Sequence, residues 1–321
     1  MRPLYLGVEI GASKHQIVLG DGEGAALCGR RGAVALAEGA EGILGWMRDN
    51  VPPVLERAGE FGGKVRGIGV GFGGIIESAT GRSLASVQVA GWKDFPVRDW
   101  FEGAFSLPCL VLNDTVAGGY GEYFLGSGRG SRIFFYTNIG SGIGGALIDR
   151  GRDYDGLGFG AAYFGHTYIP DWTAPGPGLP RKVEDLCSGF AIERRLRTGG
   201  YVPADSALLR ICGGARENLT AAMLGEAARA GDGFAAAEVG RIADAFATGL
   251  ANVITLFSPD RVSIGGGVAK MGETLLAPVR ARAAELAFVS SRGRYEIVSG
   301  TLGDAAVPVG AILSAARRGN P

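Results

Sequence analysis

The sequence predicts an α/β protein built in two halves, and three observations carry that reading. Apolar runs of strand length recur along the chain, each ending in glycine or a polar pair, with helix-spaced segments between them. The 321 residues suffice for two domains of about 150 residues each. The 57 glycines far exceed the usual share of about 7%. They cluster at strand ends, where tight turns and phosphate loops need them, and show no collagen period.

Taken in order, residues 4–8 form a first strand, Glu9 to Lys14 a turn, and His15 to Leu19 a returning strand. Asp21 to Gly24 is a hairpin turn leading to a third strand around Ala26 to Arg30. A carboxylate, a glycine and a hydroxyl in such a hairpin can hold hydrated Mg2+ and nucleotide phosphates, although an ordinary polar hairpin has the same composition. Ala40 to Ala58 has helical apolar spacing that Pro52 and Pro53 should kink or divide. A strand over Val65 to Val70 runs into a glycine loop, Gly71 to Ile76, that contains Gly73. Thr80-Gly81 turns the chain. A polar loop and a short helix then lead to the apolar strand Leu107 to Leu112.

That strand ends in Asn113-Asp114, followed by residues small enough for a closely packed helix. Ligands of open α/β sheets sit beyond the carboxyl ends of strands. Asp114 there is either a general base for a hydroxyl nucleophile or a cap on the following helix.

Ser131 to Thr137 is another strand. It enters the glycine-rich turn Asn138 to Gly145 and returns as Ala146 to Ile148. The turn lacks the Gly-Lys-Ser/Thr ending of a P-loop, and it leads into a strand, so it is no dinucleotide fingerprint. Its backbone N–H groups can still cradle phosphate. The stretch from Gly160 to His166 is small and tight. Pro170 to Pro180, with four prolines, reads as a rigid loop without helix or strand. Glu184 to Gly189 opens a helix that continues to Arg197. Further helices are expected over Leu219 to Arg229 and Phe234 to Leu256. A strand at Arg261 to Ile264 meets Gly265, Gly266 and Gly267, and then a helix from Met271 to about Phe288. Strand, glycines and helix in this order make a nucleotide platform. A last strand, Tyr295 to Ser299, precedes the closing helix Ala305 to Arg317.

Net charge is zero, from 32 basic and 32 acidic residues, which argues against a binder of nucleic-acid backbone. No run reaches membrane-span length. The N-terminus lacks signal-peptide character. Cys28, Cys109, Cys187 and Cys212 are too widely spaced for a disulfide framework or a zinc pattern. Together these features predict a reducing, cytoplasmic setting with no membrane or nucleic-acid partner.

Four ordered motifs spanning nearly the whole chain resemble the ROK family of sugar kinases and repressors, within the actin-like ATPase and hexokinase superfamily. They are Asn113-Asp114 through Glu122, Thr137 to Gly145 with Ser141 in place of the family's middle Thr, Ser258-Pro259-Asp260 through Gly267, and Gly310-Ala311. The resemblance implies a two-lobed actin-like (ribonuclease H-like) fold with a cleft between the lobes. The expected N-terminal lobe is 1–118 and the C-terminal lobe 119–304, with a final helix over 305–321 returning to the first lobe. It implies ATP-dependent phosphorylation of a hexose or amino sugar, at the 6-hydroxyl, by a homodimer using ATP and Mg2+. Asp114 would be the base. Asn113, Gly73, Tyr163, His166 and Glu184 would contact the sugar. Gly11, Ser13, Lys14, Gly140, Ser141, Gly142, Gly265, Gly266 and Gly267 would face the nucleotide, and Glu9 would position Mg2+ through water.

Departures from the family pattern sharpen these expectations. Glu9 stands where the family has Asp. Ala162-Tyr163-Phe164-Gly165-His166 replaces Gly-Glu-x-Gly-His, so a carboxylate sugar ligand becomes Tyr163. Pro175, Pro177 and Lys182 stand at the family's zinc cysteines, so no structural zinc is expected. Glu184 is retained. The family's repressors carry an added N-terminal DNA-binding segment, for which a first strand beginning at residue 4 leaves no room. The alternatives are a non-catalytic sugar- or nucleotide-binding regulator and a kinase whose substrate is unlike glucose.

Overall fold

The computed structural model describes residues 1–86, 89–174 and 179–318. Pro175, Pro177 and Gly178, which bear on the zinc expectation, lie outside the described residues. In chain order the strands and helices are β1 (Arg2–Ile10), β2 (Lys14–Asp21), β3 (Ala26–Ala33), α1 (Gly39–Glu56), β4 (Gly63–Phe72), β5 (Ile75–Glu77), β6 (Arg82–Ala85), α2 (Val97–Phe105), β7 (Cys109–Asn113) and α3 (Asp114–Leu125). There follow β8 (Ile133–Ile139), β9 (Ile143–Asp149), β10 (Arg152–Asp153), β11 (Tyr168–Pro170), β12 (Pro180–Lys182), α4 (Val183–Cys187), α5 (Gly189–Arg197), α6 (Ala207–Ile211), α7 (Ala221–Arg229), α8 (Gly233–Phe257), β13 (Arg261–Gly265), α9 (Glu273–Leu286), β14 (Glu296–Ser299) and α10 (Ala306–Arg318).

The chain forms two compact units. The first takes Met1–Ser131, Ala146–Ala162 and the stretch from Thr301 on; the second takes Arg132–Gly145 and Tyr163–Gly300.

The first unit is built on a sheet of order β3-β2-β1-β4-β7. β1, β4 and β7 run parallel, while β2 and β3 return antiparallel. Leu4, Leu6, Val8 and Ile10 of β1 are all buried, as are Ile68, Val70 and Phe72 of β4. Such near-continuous burial belongs to parallel strands covered on both faces. Ile43, Met47 and Val51 of α1 join this core. α10 is seated against the sheet by missing side chains. A Cβ on Gly69 would stand 2.0 Å from the Ala311 carbonyl oxygen, and one on Gly310 would stand 1.7 Å from that of Ala117 in α3. No other residue fits either position. Glu122 of α3, fully buried, accepts hydrogen bonds from Ser127 N, Ser127 Oγ, Thr301 Oγ1 and Leu302 N. It therefore anchors the chain just ahead of α10.

The other five-stranded sheet has order β10-β9-β8-β13-β14, with β13 parallel to both β8 and β14. Phe134, Phe135, Phe164 and Phe246 fill the core of the second unit. α8 carries a fully buried Glu238 that accepts from Arg195, Arg241 and Tyr201. Two guanidinium groups and a phenol compensate the desolvation of that carboxylate.

Several local expectations are corrected. α1 runs unbroken through Pro52 and Pro53. Both prolines lie near its C-terminal end, and Arg48 and Asp49, whose carbonyls lose their i+4 donors, are exposed to solvent. Gly71 and Phe72 extend β4, and Ile75–Glu77 forms β5, so little of the expected loop remains. Tyr168–Pro170 pairs antiparallel with Pro180–Lys182, so the proline-rich stretch begins and ends in strand. The helix expected from Glu184 to Arg197 is two helices. Ser188, extended at φ −69° and ψ 160°, separates them and caps the second through its hydroxyl.

Candidate active site

The carboxyl ends of β1, β4 and β7 lie together, because Ile10 pairs with Phe72 and Phe72 with Asn113. Asn113 caps α3. Its Oδ1 accepts from Thr115 N at 2.9 Å and Val116 N at 3.3 Å, while Nδ2 donates to Gly74 O at 3.0 Å. The cap thus falls to Asn113, and Asp114 is the first helical residue. Asp114 Oδ1 accepts from Thr115 N at 2.7 Å and Thr115 Oγ1 at 3.3 Å. Oδ2 lies over Gly73, where a Cβ would approach it to 3.4 Å and Ile10 O to 3.1 Å. Gly73 N donates to Ile10 O at 2.7 Å. Burial, and next the Glu9 carboxylate, push the Asp114 carboxyl up to about 7, against the pull of the Thr115 donors.

The turn between β1 and β2 closes with Gly11 N donating to Lys14 O at 3.0 Å. Glu9 is buried and stands directly across the ladder from Gln16. Gln16 Nε2 donates to Glu9 Oε2 and, at 2.7 Å, to Asp304 O. Lys14 Nζ lies 3.5 Å from Glu9 Oε2 and 3.3 Å from Asp304 Oδ1. Arg31 Nη1 is 3.3 Å from Asp304 Oδ2. Burial raises the Glu9 carboxyl above the ordinary glutamate range, while Lys14 and Gln16 draw it down. Ser13 is exposed, and its carbonyl accepts from Val34 N at 3.1 Å. Gln16 and Asp304 were not foreseen from sequence. Gln16 was findable, since it shares a strand face with Lys14 two residues away. Asp304 carried no local signal.

In the second unit the turn between β8 and β9 is held largely by backbone. Gly140 N donates to Gly142 O at 2.9 Å. Gly140 O and Ser141 O accept from Gly189 N at 2.8 Å and Phe190 N at 3.4 Å, at the start of α5. Thr137 Oγ1 donates to Gly144 O at 2.7 Å, and Asn138 Oδ1 accepts from Gly144 N at 2.9 Å. Glu184 Oε2 accepts from Ile143 N at 2.7 Å, which joins a residue expected at the sugar to the turn expected at the phosphates. Gly266, at φ 91°, packs on the same turn; a Cβ there would be 2.5 Å from Ile139 O. A Cβ on Gly265 would reach the Tyr136 hydroxyl at 2.4 Å. The nucleotide platform differs from expectation. After Gly267 a 3-10 turn, Val268–Met271, intervenes, and Gly272 at φ 63° redirects the chain before α9 begins.

Tyr163 is half-buried and stands edge-on to exposed His166, with ring centroids 6.3 Å apart. The preceding Ala162 is left-handed at φ 59°, a conformation that suits glycine. Gly165 allows no side chain, since a Cβ would lie 2.1 Å from Ile143 O.

All four cysteines are free. Among the described residues, no group of three or more His, Cys, Asp or Glu side chains could hold a metal ion, and no helix is long and apolar enough to cross a membrane. Glu9 and Asp304 offer carboxylate oxygens, the donor type that Mg2+ takes, and Lys14 Nζ pairs with both.

Comparison with known proteins places these features in one family. A glucokinase of Halalkalibacterium halodurans is 33% identical over 246 residues, covering 76% of this chain and 74% of the relative. A glucokinase of Thermotoga maritima is 29% identical over 310 residues, 95% of each chain. The crystal structure of a ROK family glucokinase from Streptomyces griseus, in complex with glucose and AMPPNP, has a TM-score of 0.83 at 29% identity and covers 96% of this chain and 98% of its own. The fold is therefore the two-lobed actin-like α/β fold of these kinases. The ROK family pattern matches residues 5–318, from β1 to the end of α10, and the chain belongs to the ROK family.

Proposed function

We propose that this protein is an ATP-dependent sugar kinase, with Asp114 as the base that takes the proton from a hydroxyl of a hexose or amino sugar, at the 6-position. One observation carries the assignment. Asp114 sits at the carboxyl ends of three parallel strands with Oδ2 turned to Gly73, and its capping duty is discharged by Asn113. A carboxyl poised near 7 is matched to general-base work at neutral pH. The proton passes to Asp114 Oδ2 as the sugar oxygen bonds to the γ-phosphorus. The bond from that phosphorus to the bridging oxygen breaks, and ADP leaves. Such transfer asks mainly for in-line positioning and charge stabilisation.

Asn113 retains one N–H for a neighbouring sugar hydroxyl after serving Gly74. Tyr163, His166 and Glu184 complete the sugar contacts in this reading, and Gly73 lets the substrate approach Asp114. Gly11, Ser13 and Lys14 face the phosphates in this reading. Gly140, Ser141 and Gly142 are phosphate-facing in the same reading, and the carbonyl side of their turn is committed to α5. Gly265, Gly266 and Gly267 lie on the adenosine side. Glu9 would hold Mg2+ through water, and the ion would screen the phosphate charge. The reading extends to a cytoplasmic homodimer, checked by light scattering on the purified protein.

The test is sugar-dependent ADP release across glucose, N-acetylglucosamine, N-acetylmannosamine and fructose. Turnover with one or more of them is expected. Nucleotide binding without turnover on any sugar overturns the reading and favours a non-catalytic regulator, for which Glu9 and Tyr163 are the motivating departures.

A further inference from the structure

β11 and β12 have only three residues each, yet they lie between His166 and Glu184. Tyr168 pairs with Lys182, Ile169 with Arg181 and Pro170 with Pro180. One further bond, from Val183 N to Thr167 O at 3.0 Å, continues the pairing past the strands. His166 immediately precedes Thr167, and Glu184 immediately follows Val183. The register of this hairpin therefore sets where the two residues stand relative to each other.

A two-stranded hairpin is marginal on its own, and Asp171 closes this one. It directly follows β11, and its N–H donates to Leu179 O at 3.1 Å, just ahead of β12. Its side chain is only 1% exposed. Oδ1 accepts from Thr173 N at 2.8 Å and Thr173 Oγ1 at 2.6 Å, and Oδ2 accepts from Arg181 Nε at 3.0 Å. A buried carboxylate is costly unless donors reach it, and here they reach both oxygens. The bond to the guanidinium is charge-assisted, roughly twice as strong as a neutral one, and it crosses from the end of one strand to the other strand.

The neighbouring residue seats the same turn on the helix that bears Glu184. Arg195 Cζ lies 5.2 Å from the centroid of the Trp172 ring. Arg195 Nη1 donates to Leu186 O of α4 at 2.6 Å, and its Nε donates to the buried Glu238 at 3.0 Å. Asp171 thus holds the hairpin across to β12, while Trp172 rests on a cation that is itself bound to α4.

We propose that Asp171 is a positioning residue for the sugar: by closing the β11–β12 hairpin it fixes the spacing of His166 and Glu184, and so sets KM for the sugar and leaves the chemical step alone. The inference rests on the kinase reading above, in which those two residues contact the sugar. The test is steady-state kinetics on the full chain, with the sugar of the four above that turns over fastest, varying sugar and ATP separately. Asp171→Ala should raise KM for the sugar about tenfold or more, with kcat and KM for ATP held within about twofold. Asp171→Asn keeps an oxygen for both Thr173 donors and loses only the ion pair, so it should recover most of that loss. Arg181→Met removes the same ion pair from an exposed side chain and should match Asp171→Asn, at about threefold in KM. An ion pair that only stabilised the fold would lower the amount of active protein, hence kcat, and leave KM unmoved. The proposal is overturned if Asp171→Ala leaves KM for the sugar unchanged, lowers kcat alone, or raises KM for ATP as much. Should Asp171→Ala not fold, an unchanged sugar KM in Arg181→Met overturns it. A wild type that turns over none of the four sugars overturns the kinase reading itself, and the positioning role with it.

Discussion

The molecule contains two glycine-rich strand-turn-strand devices, one in each unit, and they are held by different forces. The β1–β2 turn is gripped by charge. Glu9, Lys14, Gln16, Arg31 and Asp304 form one connected knot, with Asp114 close enough for Glu9 to raise its carboxyl. The β8–β9 turn is gripped by backbone. Its carbonyls are bound by the start of α5, and a single carboxylate, Glu184, ties Ile143 N. The first device is therefore sensitive to pH and to the loss of any one charge. The second is sensitive to changes of shape.

The largest effect expected is on stability, from relieving the first device. A carboxyl raised in the folded state opposes folding above its ordinary pKa. The penalty grows as pH rises from about 4 and is complete above about 7. With Asp114 raised to about 7, and about 1.4 kcal/mol per unit, Asp114→Asn should stabilise the free protein by about 4 kcal/mol at pH 8. It should do almost nothing at pH 4. Urea denaturation at both pH values checks this.

Lys14→Met should act in the opposite direction. It removes the cation paired with buried Glu9 at 3.5 Å and should cost about 3 kcal/mol at pH 8. The loss should shrink toward pH 5 as Glu9 takes up a proton, and the same denaturation series reads it. Glu184→Ala, in the second device, should cost about 2 kcal/mol for the lost bond to Ile143 N. The same denaturation series reads it. The smallest effect is a gain. Ala162→Gly relaxes a left-handed alanine and should stabilise by about 1 kcal/mol, visible as a higher Tm.

The sequence made parts of both devices legible, for reasons of range. Glycines at strand ends marked both turns, and Asn113-Asp114 stood out as a polar pair after an apolar strand. Which of the two caps α3 was not legible, because it depends on where the helix begins. The structure starts it at Asp114 and gives the cap to Asn113. The pairing of Glu9 with Gln16 was within reach once the turn length fixed the register. Asp304 was not, since it meets the hairpin from 288 residues beyond Gln16. Pro52 and Pro53 misled because the local rule against proline takes no account of solvent near a helix end. The 3-10 turn after Gly267 escaped because three glycines specify freedom and no direction.

The central claim is that Asp114 takes the proton from the sugar hydroxyl. The most direct test is the pH dependence of kcat/KM for the best sugar substrate, measured for the wild type beside Asp114→Asn. A base must be ionised, so wild-type kcat/KM should be level above about pH 7 and fall about tenfold per unit below it. Asp114→Asn should lower the plateau by about 10²- to 10⁴-fold and remove the bend near 7. A variant that keeps both the wild-type plateau and the bend contradicts the account.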